Sequence, residues 1–390
     1  MDALRCTIMR GGTSKAVFLR EEDLPPAGPE RDRVVLRVFG SPDKRQIDGL
    51  GGADPLTSKM AIIGPPLNRH SDVTYTFGQV EIDRPHVDYH SLCGNISAAV
   101  GQYAIEAGMV AVVEGVTRVR AWSTNLKRML TIEVPVKDGK PVTMGTYRIP
   151  GVPGSGARIM IDFADTAGGA TGNLLPTGHA FDTLDVPGFG PIDVSLVDIG
   201  NAHVFVRARD VGLTGTEAPD EIDRNPELLD LLERIRATGA VRMGMASSVT
   251  AAKAETPATP ILAVVAPPAD YIGHLDGTPV AADAVDLVAR LLFMQISHKT
   301  YAGTSTVCTG VAARIPGSLV AGVARSDLNQ RLEIRIGHPA GVIETESDVI
   351  LAESGRNHGV RRATLGRTAR RILDGTVYFE PDFGSPLEGF

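Results

Sequence analysis

Aromatic side chains are scarce in this sequence. They make up 5% of its 390 residues, and only one is a tryptophan. That is poor material for the stacking platforms that hold bases or sugar rings. Acidic residues outnumber basic ones, leaving a net charge of -7, so a general nucleic-acid surface is not expected. A small anion could still be held locally by backbone amides and a few cations. Long apolar runs are missing as well. Residues 261–267 are the most suggestive stretch and fall far short of a membrane span. The N-terminus leads straight into Arg5 and Arg10 without the apolar segment of a signal peptide. Three cysteines, Cys6, Cys93 and Cys308, lie far apart and are odd in number. That fits reduced thiols in a cytosol better than a disulfide framework, so a cytoplasmic protein is expected.

Several familiar motifs are also absent. Neither Gly11–Lys15 nor Gly51–Lys59 has the G-x-x-x-x-G-K-[ST] spacing of a phosphate loop. No G-x-G-x-x-G precedes a helix, which disfavours a nicotinamide cofactor. The nine histidines form no H-E-x-x-H, and His86 and His90 stand next to a proline and a polar loop. No metal and no cofactor are expected.

Glycine and proline are abundant instead, at 43 and 26 residues, which implies many turns and short strands. The length suits two domains, placed at 1–185 and 186–390. The chain reads as α/β (α+β). Residues 4–9 and 15–19 alternate as strands around a tight turn, Gly11-Gly12-Thr13-Ser14, whose amides and hydroxyls could hold a carboxylate. Residues 32–39 read as a short helix, and 72–83, 117–122, 128–136 and 158–163 as strands.

Two stretches bring chemistry. The glycine-rich loop 48–58 ends in Thr57-Ser58-Lys59 and runs into the apolar Met60-Ala61-Ile62-Ile63. An amine at such a boundary can lose hydration, and desolvation lowers its pKa towards that of a useful base. Cys93-Gly94-Asn95 precedes a run of small and apolar residues at helical spacing that ends at Gly108. A helix N-terminus there would offer free N–H groups to an anion and favour a thiolate.

Near residue 185 the pattern restarts. Residues 192–198 read as a strand, and Gly200-Asn201-Ala202-His203 as a turn into another. Helices are expected at 220–237 and 281–294, and a strand at 259–266. Gly303-Thr304 then opens a second small-residue segment containing Cys308. Each half thus runs turn to strand, further strands, then cysteine at the head of a small-residue helix, a weak internal duplication. Two such units would set their helix N-termini on a shared cleft. Strands are also expected at 332–336 and 364–372, with Arg367, Arg370 and Arg371 forming either a solvated edge, the preferred reading, or a carboxylate clamp.

The combination of Arg10-Gly11-Gly12-Thr13-Ser14-Lys15, Gln46-Ile47-Asp48-Gly49-Leu50-Gly51-Gly52, Thr57-Ser58-Lys59 and Cys93-Gly94-Asn95 resembles the PrpF family, across nearly the whole chain. That family includes 2-methylaconitate cis-trans isomerase, methylitaconate isomerase and 4-oxalomesaconate tautomerase. The resemblance implies the diaminopimelate-epimerase fold, with two pseudo-symmetric domains, each a curled sheet around a central helix, and the active site between them. It implies cofactor-independent allylic proton transfer on a small unsaturated di- or tricarboxylate, most simply of 2-methylaconitate type, with 4-oxalomesaconate as the alternative. The family's lysine falls on Lys59 and its cysteine on Cys93, and its carboxylate-binding turn on Gly11, Gly12, Thr13 and Ser14. Ser58, Gly94, Asn95, Asn201, Gly303 and Thr304 complete the expected binding set. Two readings of other kinds stand beside it: a two-cysteine amino-acid epimerase using Cys93 and Cys308, and a non-catalytic tricarboxylate-binding protein. No membrane or nucleic-acid partner is expected, and a homodimer is compatible with the sequence.

Overall fold

Strand order in the computed structural model repeats itself. The structure describes residues 2–353 and 358–380. In the first half, β1 (Asp2–Gly11) and β2 (Ser14–Arg20) form an antiparallel hairpin. Next to β2 lies β3 (Lys59–Gly64) in parallel, then β4 (Val73–Val80) antiparallel. β5 (Gly115–Ser123) is parallel to β4, and β6 (Arg128–Lys137) and β7 (Ile159–Asp162) follow in antiparallel order.

After β8 (Asp182–Val186) the same sequence of pairings returns. β9 (Gly190–Ile199) and β10 (Asn201–Arg207) form a hairpin, β11 (Ile261–Ala266) is parallel to β10, and β12 (Leu287–Phe293) is antiparallel to β11. β13 (Glu333–His338) is parallel to β12, with β14 (Gly341–Ile350) and β15 (Gly359–Arg367) antiparallel beyond it. The last strand, β16 (Ala369–Phe379), returns to the first half and pairs with β1, and β15 also pairs with β7.

Each half wraps its sheet around one helix. Besides α1 (Pro29–Phe39), the first half has α2 (Gly94–Glu106), with residues 94–105 all buried. The second half has α3 (Pro219–Asp223), α4 (Pro226–Arg242) and α5 (Val249–Glu255), then α6 (Gly303–Ala312), buried over its whole length, and α7 (Leu319–Val323). A helix buried on every side needs small residues where strands approach it. A Cβ at Gly101 would lie 2.7 Å from Ile132, and one at Gly310 would lie 2.5 Å from Thr345. One continuous hydrophobic cluster holds Ile96 and Val100 of α2 together with Val307 and Val311 of α6. No described helix is long and apolar enough to cross a membrane.

The structure corrects four readings of the sequence. Residues 281–294 are not a helix: 287–293 form the strand β12, buried between β11 and β13, because a continuous apolar run satisfies either period. The helix expected at 220–237 is split, since Pro226 cannot continue α3 and instead starts α4 behind the N-cap Asn225. Residues 364–372 fall in two strands, β15 and β16, rather than one. Cys308 is not at a helix head but in the interior of α6.

Candidate active site

The N-termini of α2 and α6 meet at the centre of the molecule. A Cβ on Gly94 would lie 2.7 Å from the Thr304 nitrogen, and one on Gly303 would lie 3.0 Å from the Gly94 carbonyl carbon. Only paired glycines let the two backbones touch. The helices match position by position. Cys93 and Ala302 are their N-caps, and Ser97 and Thr306 each return a hydroxyl to that N-cap carbonyl at 2.9 Å. First-turn N–H groups have no helical acceptor, so two sets of donors converge on one cavity. The cavity is narrow, about 20 Å³, and is lined by Ser14, Lys59, Cys93, Gly94, Asn95, Asn201, Gly303 and Thr304, among others.

Lys59 opens β3 and is 3% exposed. The loop before it is held by Gln46, whose side-chain amide donates to Ser41 and Ser58 at 3.0 and 2.8 Å and accepts from the Ala53 N–H at 2.8 Å. Across β3–β4 the register sets Lys59 opposite Gln79, and its Nζ donates to Gln79 Oε1 at 2.6 Å. Gln79 is oriented in turn, because its NH₂ donates to the Pro55 and Ser58 carbonyls. The rings of Phe77 and Phe293 each lie with their centroid 5.3 Å from the amine. Burial pulls the Lys59 pKa down from 10.5, against the opposing influence of Cys93 and Asp54. Lys59 is thus an amine set in an apolar wall with one fixed acceptor.

The other expected residues divide into those that reach the cavity and those that support it. Ser14 is 3% exposed, lines the cavity, and its hydroxyl has no hydrogen-bond partner among the described residues. Ser91, which the sequence reading passed over, is in the same condition. Both hydroxyls are therefore available to a ligand in the cavity. Gly11, Gly12 and Thr13 do not line the cavity. The Gly12 N–H donates to the Thr368 carbonyl at 2.9 Å, and a Cβ there would lie 2.1 Å from Asn95 Oδ1. The turn is therefore a bed for α2, and only Ser14 projects from it. The Ser58 hydroxyl donates to the Val80 carbonyl at 2.8 Å and faces away.

Asn95 donates through Nδ2 to Thr13 Oγ1 at 3.0 Å and accepts from Arg367 Nε at 2.7 Å. Its amide is held at both nitrogen and oxygen, and its backbone N–H lies at the open first turn of α2. Arg367 departs from the expected solvated edge: it is 1% exposed, while Arg370 and Arg371 are exposed. Asn201 joins the halves by accepting from the Leu92 N–H and donating to the Leu92 carbonyl, both at 2.8 Å, and by donating to Thr304 at 3.1 Å. Cys308 lies in the hydrophobic core, its Sγ 3.6 Å from the Val197 carbonyl, and burial raises its pKa well above the usual 9.0. Among the described residues no three His, Cys, Asp or Glu side chains group to hold a metal.

The repeat also shows what the second half lacks. Lys59 pairs in parallel register with Ala16, two residues after Ser14. The matching pair is Ile261 with His203, two residues after Asn201. Leu262 pairs with Leu292, which puts Phe293 beside Ile261 where the first half has Gln79 beside Lys59. The second half therefore offers Ile261, Phe293 and Ala302 where the first offers Lys59, Gln79 and Cys93. At these three positions the first half is polar and basic and the second is hydrocarbon.

Residues 1–380 match the family model described as PrpF protein. The chain belongs to the PrpF family. It is 52% identical to the 3-methylitaconate isomerase of Eubacterium barkeri, over 96% of this chain and 97% of that protein. It is 40% identical to a 2-methyl-aconitate isomerase of Shewanella oneidensis, over 95% of each chain. With a 4-oxalomesaconate tautomerase of Pseudomonas putida it shares 36%, over 98% of each. A crystal structure of methylitaconate-delta-isomerase covers 97% of this chain and 96% of its own, with a TM-score of 0.80 and 52% identity. A hydroxyproline epimerase from Agrobacterium vitis, 11% identical with a TM-score of 0.54 over 96% and 92% of the two chains, shares the fold. The PrpF-family chain is an isomerase with the diaminopimelate-epimerase-like architecture that its motifs imply.

Proposed function

We propose that this isomerase moves a proton along the allylic system of a small unsaturated di- or tricarboxylate bearing a methyl or methylene group, with Lys59 as the single base. The observation that carries the reading is the pairing of Lys59 with Ile261 across the repeat. An enzyme that inverts a carbon centre with two bases needs one on each face. A proton shifted along one face of an allyl unit needs only one.

The neutral amine of Lys59 removes a proton from the carbon beside a double bond conjugated with a carboxylate. The electron pair spreads through the allyl unit to the carboxylate oxygen, giving a dienolate. The protonated amine returns its proton at the far end of the allyl unit, or at the same carbon after rotation about the weakened former double bond. Charge on oxygen is met by N–H groups of Gly94 and Asn95 at the start of α2 and of Gly303 and Thr304 at the start of α6. Ser14 and Ser91 supply hydroxyls to the carboxylates, and Ile261, Phe293 and Phe77 receive the hydrocarbon. Cys93, at the N-cap of α2, lies next to the reacting carbons as an orienting group or acid.

Two observations support an order of substrates. The hydrocarbon of Ile261, Phe293 and Phe77 suits a methyl substituent, and the 52% identical relative is named for 3-methylitaconate. Methylitaconate therefore stands first and 2-methylaconitate second, with 4-oxalomesaconate behind them. The test is proton NMR in D₂O with a panel of these three acids. Deuterium should enter an allylic position of one of them, and Lys59→Ala should lower that rate by at least about 10², the usual weight of a general base. A Lys59→Ala variant retaining more than about a hundredth of the activity would overturn the assignment.

A further inference from the structure

Two requirements of the site pull in opposite directions. An unsaturated diacid brings negative charge into the cavity, yet the base that attacks it must be neutral. Among the described residues, Lys59 and His298 are the only basic side chains lining the cavity. Burial and the nearby amine hold His298 neutral, with its pKa lowered to about 4. With Lys59 neutral as well, no lining side chain carries a fixed positive charge. A counter-charge for the substrate must stand behind the lining.

Arg367, the last residue of β15, stands there. It is one of four buried arginines, with Arg31, Arg236 and Arg290. Arg31 and Arg236 pair with Glu21 and Glu233, and Arg290 lies in the field of Glu217 and Glu221. Arg367 is 1% exposed and contacts no carboxylate among the described residues; the groups that favour its charge are Tyr147 and the Cys93 thiol of the cavity. Burial lowers its pKa from 12.5 to about 10, so the guanidinium stays charged at neutral pH. A buried cation without a carboxylate costs folding free energy, and the empty fold returns nothing for it.

Hydrogen bonds fix this charge against the cavity wall. Nε donates to Asn95 Oδ1 at 2.7 Å, and Nη1 donates to the Gly366 carbonyl at 2.9 Å. A guanidinium can only donate, so Asn95 turns its oxygen to Arg367 and its NH₂ to Thr13. Asn95 is the second residue of α2 and lines the cavity. The guanidinium is therefore one side chain behind the first-turn N–H groups of α2, where it adds to the positive end of the helix dipole.

We propose that Arg367 is the fixed counter-charge for the substrate carboxylate at the start of α2, a positioning residue that acts across Asn95 without touching the ligand. The inference rests on the isomerase reading above. The proton travels between substrate carbon and Lys59 only, and Arg367 stays charged throughout.

Two substitutions separate the charge from the hydrogen bond. Glutamine sets its Nε2 where arginine has Nε, so it keeps the bond to Asn95 and removes the charge. Lysine has carbon at that place, so it loses this bond and keeps the charge. The readout is the dissociation constant of methylsuccinate, a saturated diacid that cannot isomerise, measured by calorimetry at about pH 6.5 so that a buried lysine remains charged. Arg367→Gln should weaken binding by about 10–100-fold, the weight of one unit charge acting over several ångströms at an effective dielectric constant of about 20. Its kcat/KM for the exchanging panel compound should fall at least as far, since the dienolate carries more charge than the substrate. Arg367→Lys should bind methylsuccinate within about tenfold of the parent and more tightly than Arg367→Gln. Parent-like binding in Arg367→Gln, or weaker binding in Arg367→Lys than in Arg367→Gln, would assign the role to the hydrogen bond and overturn the proposal. Equal loss in both variants with lowered melting temperatures would make Arg367 structural and overturn it as well. If the unmodified protein exchanges deuterium into no member of the panel, the isomerase reading fails and this inference with it. If it exchanges and Arg367→Gln binds the diacid as the parent does, only the inference fails.

Discussion

Replacing Gly94 with alanine would drive the two central helices apart. The new Cβ would stand 2.7 Å from the Thr304 nitrogen and 2.9 Å from the Gly303 carbonyl carbon. Both are backbone atoms of α6, so no side-chain rotation relieves the contact. Ordinary contact begins at 3.4 Å, and the two N-termini must therefore separate by about 0.7 Å. Gly303→Ala is the milder partner, because its shortest contact is Leu365 Cδ2 at 2.7 Å and that side chain can move.

Two effects of different size follow for Gly94→Ala. Overpacking of this kind costs about 1–3 kcal/mol. With an unfolding entropy of about 2.1 cal/mol/K per residue over 390 residues, that lowers Tm by roughly 1–4 °C. The catalytic effect is larger, since a misplacement of about 1 Å between donors and base costs about 10²-fold in rate. The assay is turnover of the exchanging panel compound alongside a thermal melt, with Gly322→Ala as control. Gly322 lies in α7 and a Cβ there has no neighbour within 4 Å, so that variant should match the parent in both measurements. A folded Gly94→Ala enzyme with kcat within about threefold of the parent would refute the view that the two helix N-termini act as one site.

The pH profile tests the state of Lys59. A base acts when neutral, so kcat/KM should be full above the folded-state pKa of Lys59 and fall tenfold per unit below it. That limb should lie below the ordinary lysine value of 10.5, because burial lowers the pKa, and activity rising as pH falls would exclude the amine as base. Cys308→Ser should keep turnover within about threefold while lowering Tm, since it places a hydroxyl in an apolar core without reaching the cavity; loss of turnover at an unchanged melt would restore the two-cysteine reading.

Much of the site was legible because its signals are local. A glycine turn between two alternating runs made the β1–β2 hairpin readable. A polar loop running into Met60-Ala61-Ile62-Ile63 placed Lys59 at a boundary, and a small-residue run after Cys93 placed the thiol at a helix start. What escaped depends on partners distant in sequence. Gln79 and His298 become relevant only through strand register and cavity, and Arg367 is buried by α2, which no run of arginines could show. The strand β12 was lost because Val288, Leu291 and Leu292 are buried on both faces and fit a helical stripe equally well.

The misplacement of Cys308 is the most instructive, because a better signal was present. Matching cysteine to cysteine aligns Cys93 with the sixth residue of α6. Matching G-x-x-[ST]-x-x-x-G instead aligns Gly94, Ser97 and Gly101 with Gly303, Thr306 and Gly310, and it puts Ala302 opposite Cys93. The glycines are the better guide because their spacing is imposed by backbone approach, which both halves need in order to fold. The reactive side chains answer only to chemistry and are free to differ. Here the second half keeps the glycine spacing and places Ile261, Phe293 and Ala302 where the first has Lys59, Gln79 and Cys93. A duplicated scaffold has thereby become an asymmetric cavity, with the buried amine contributed by one half alone.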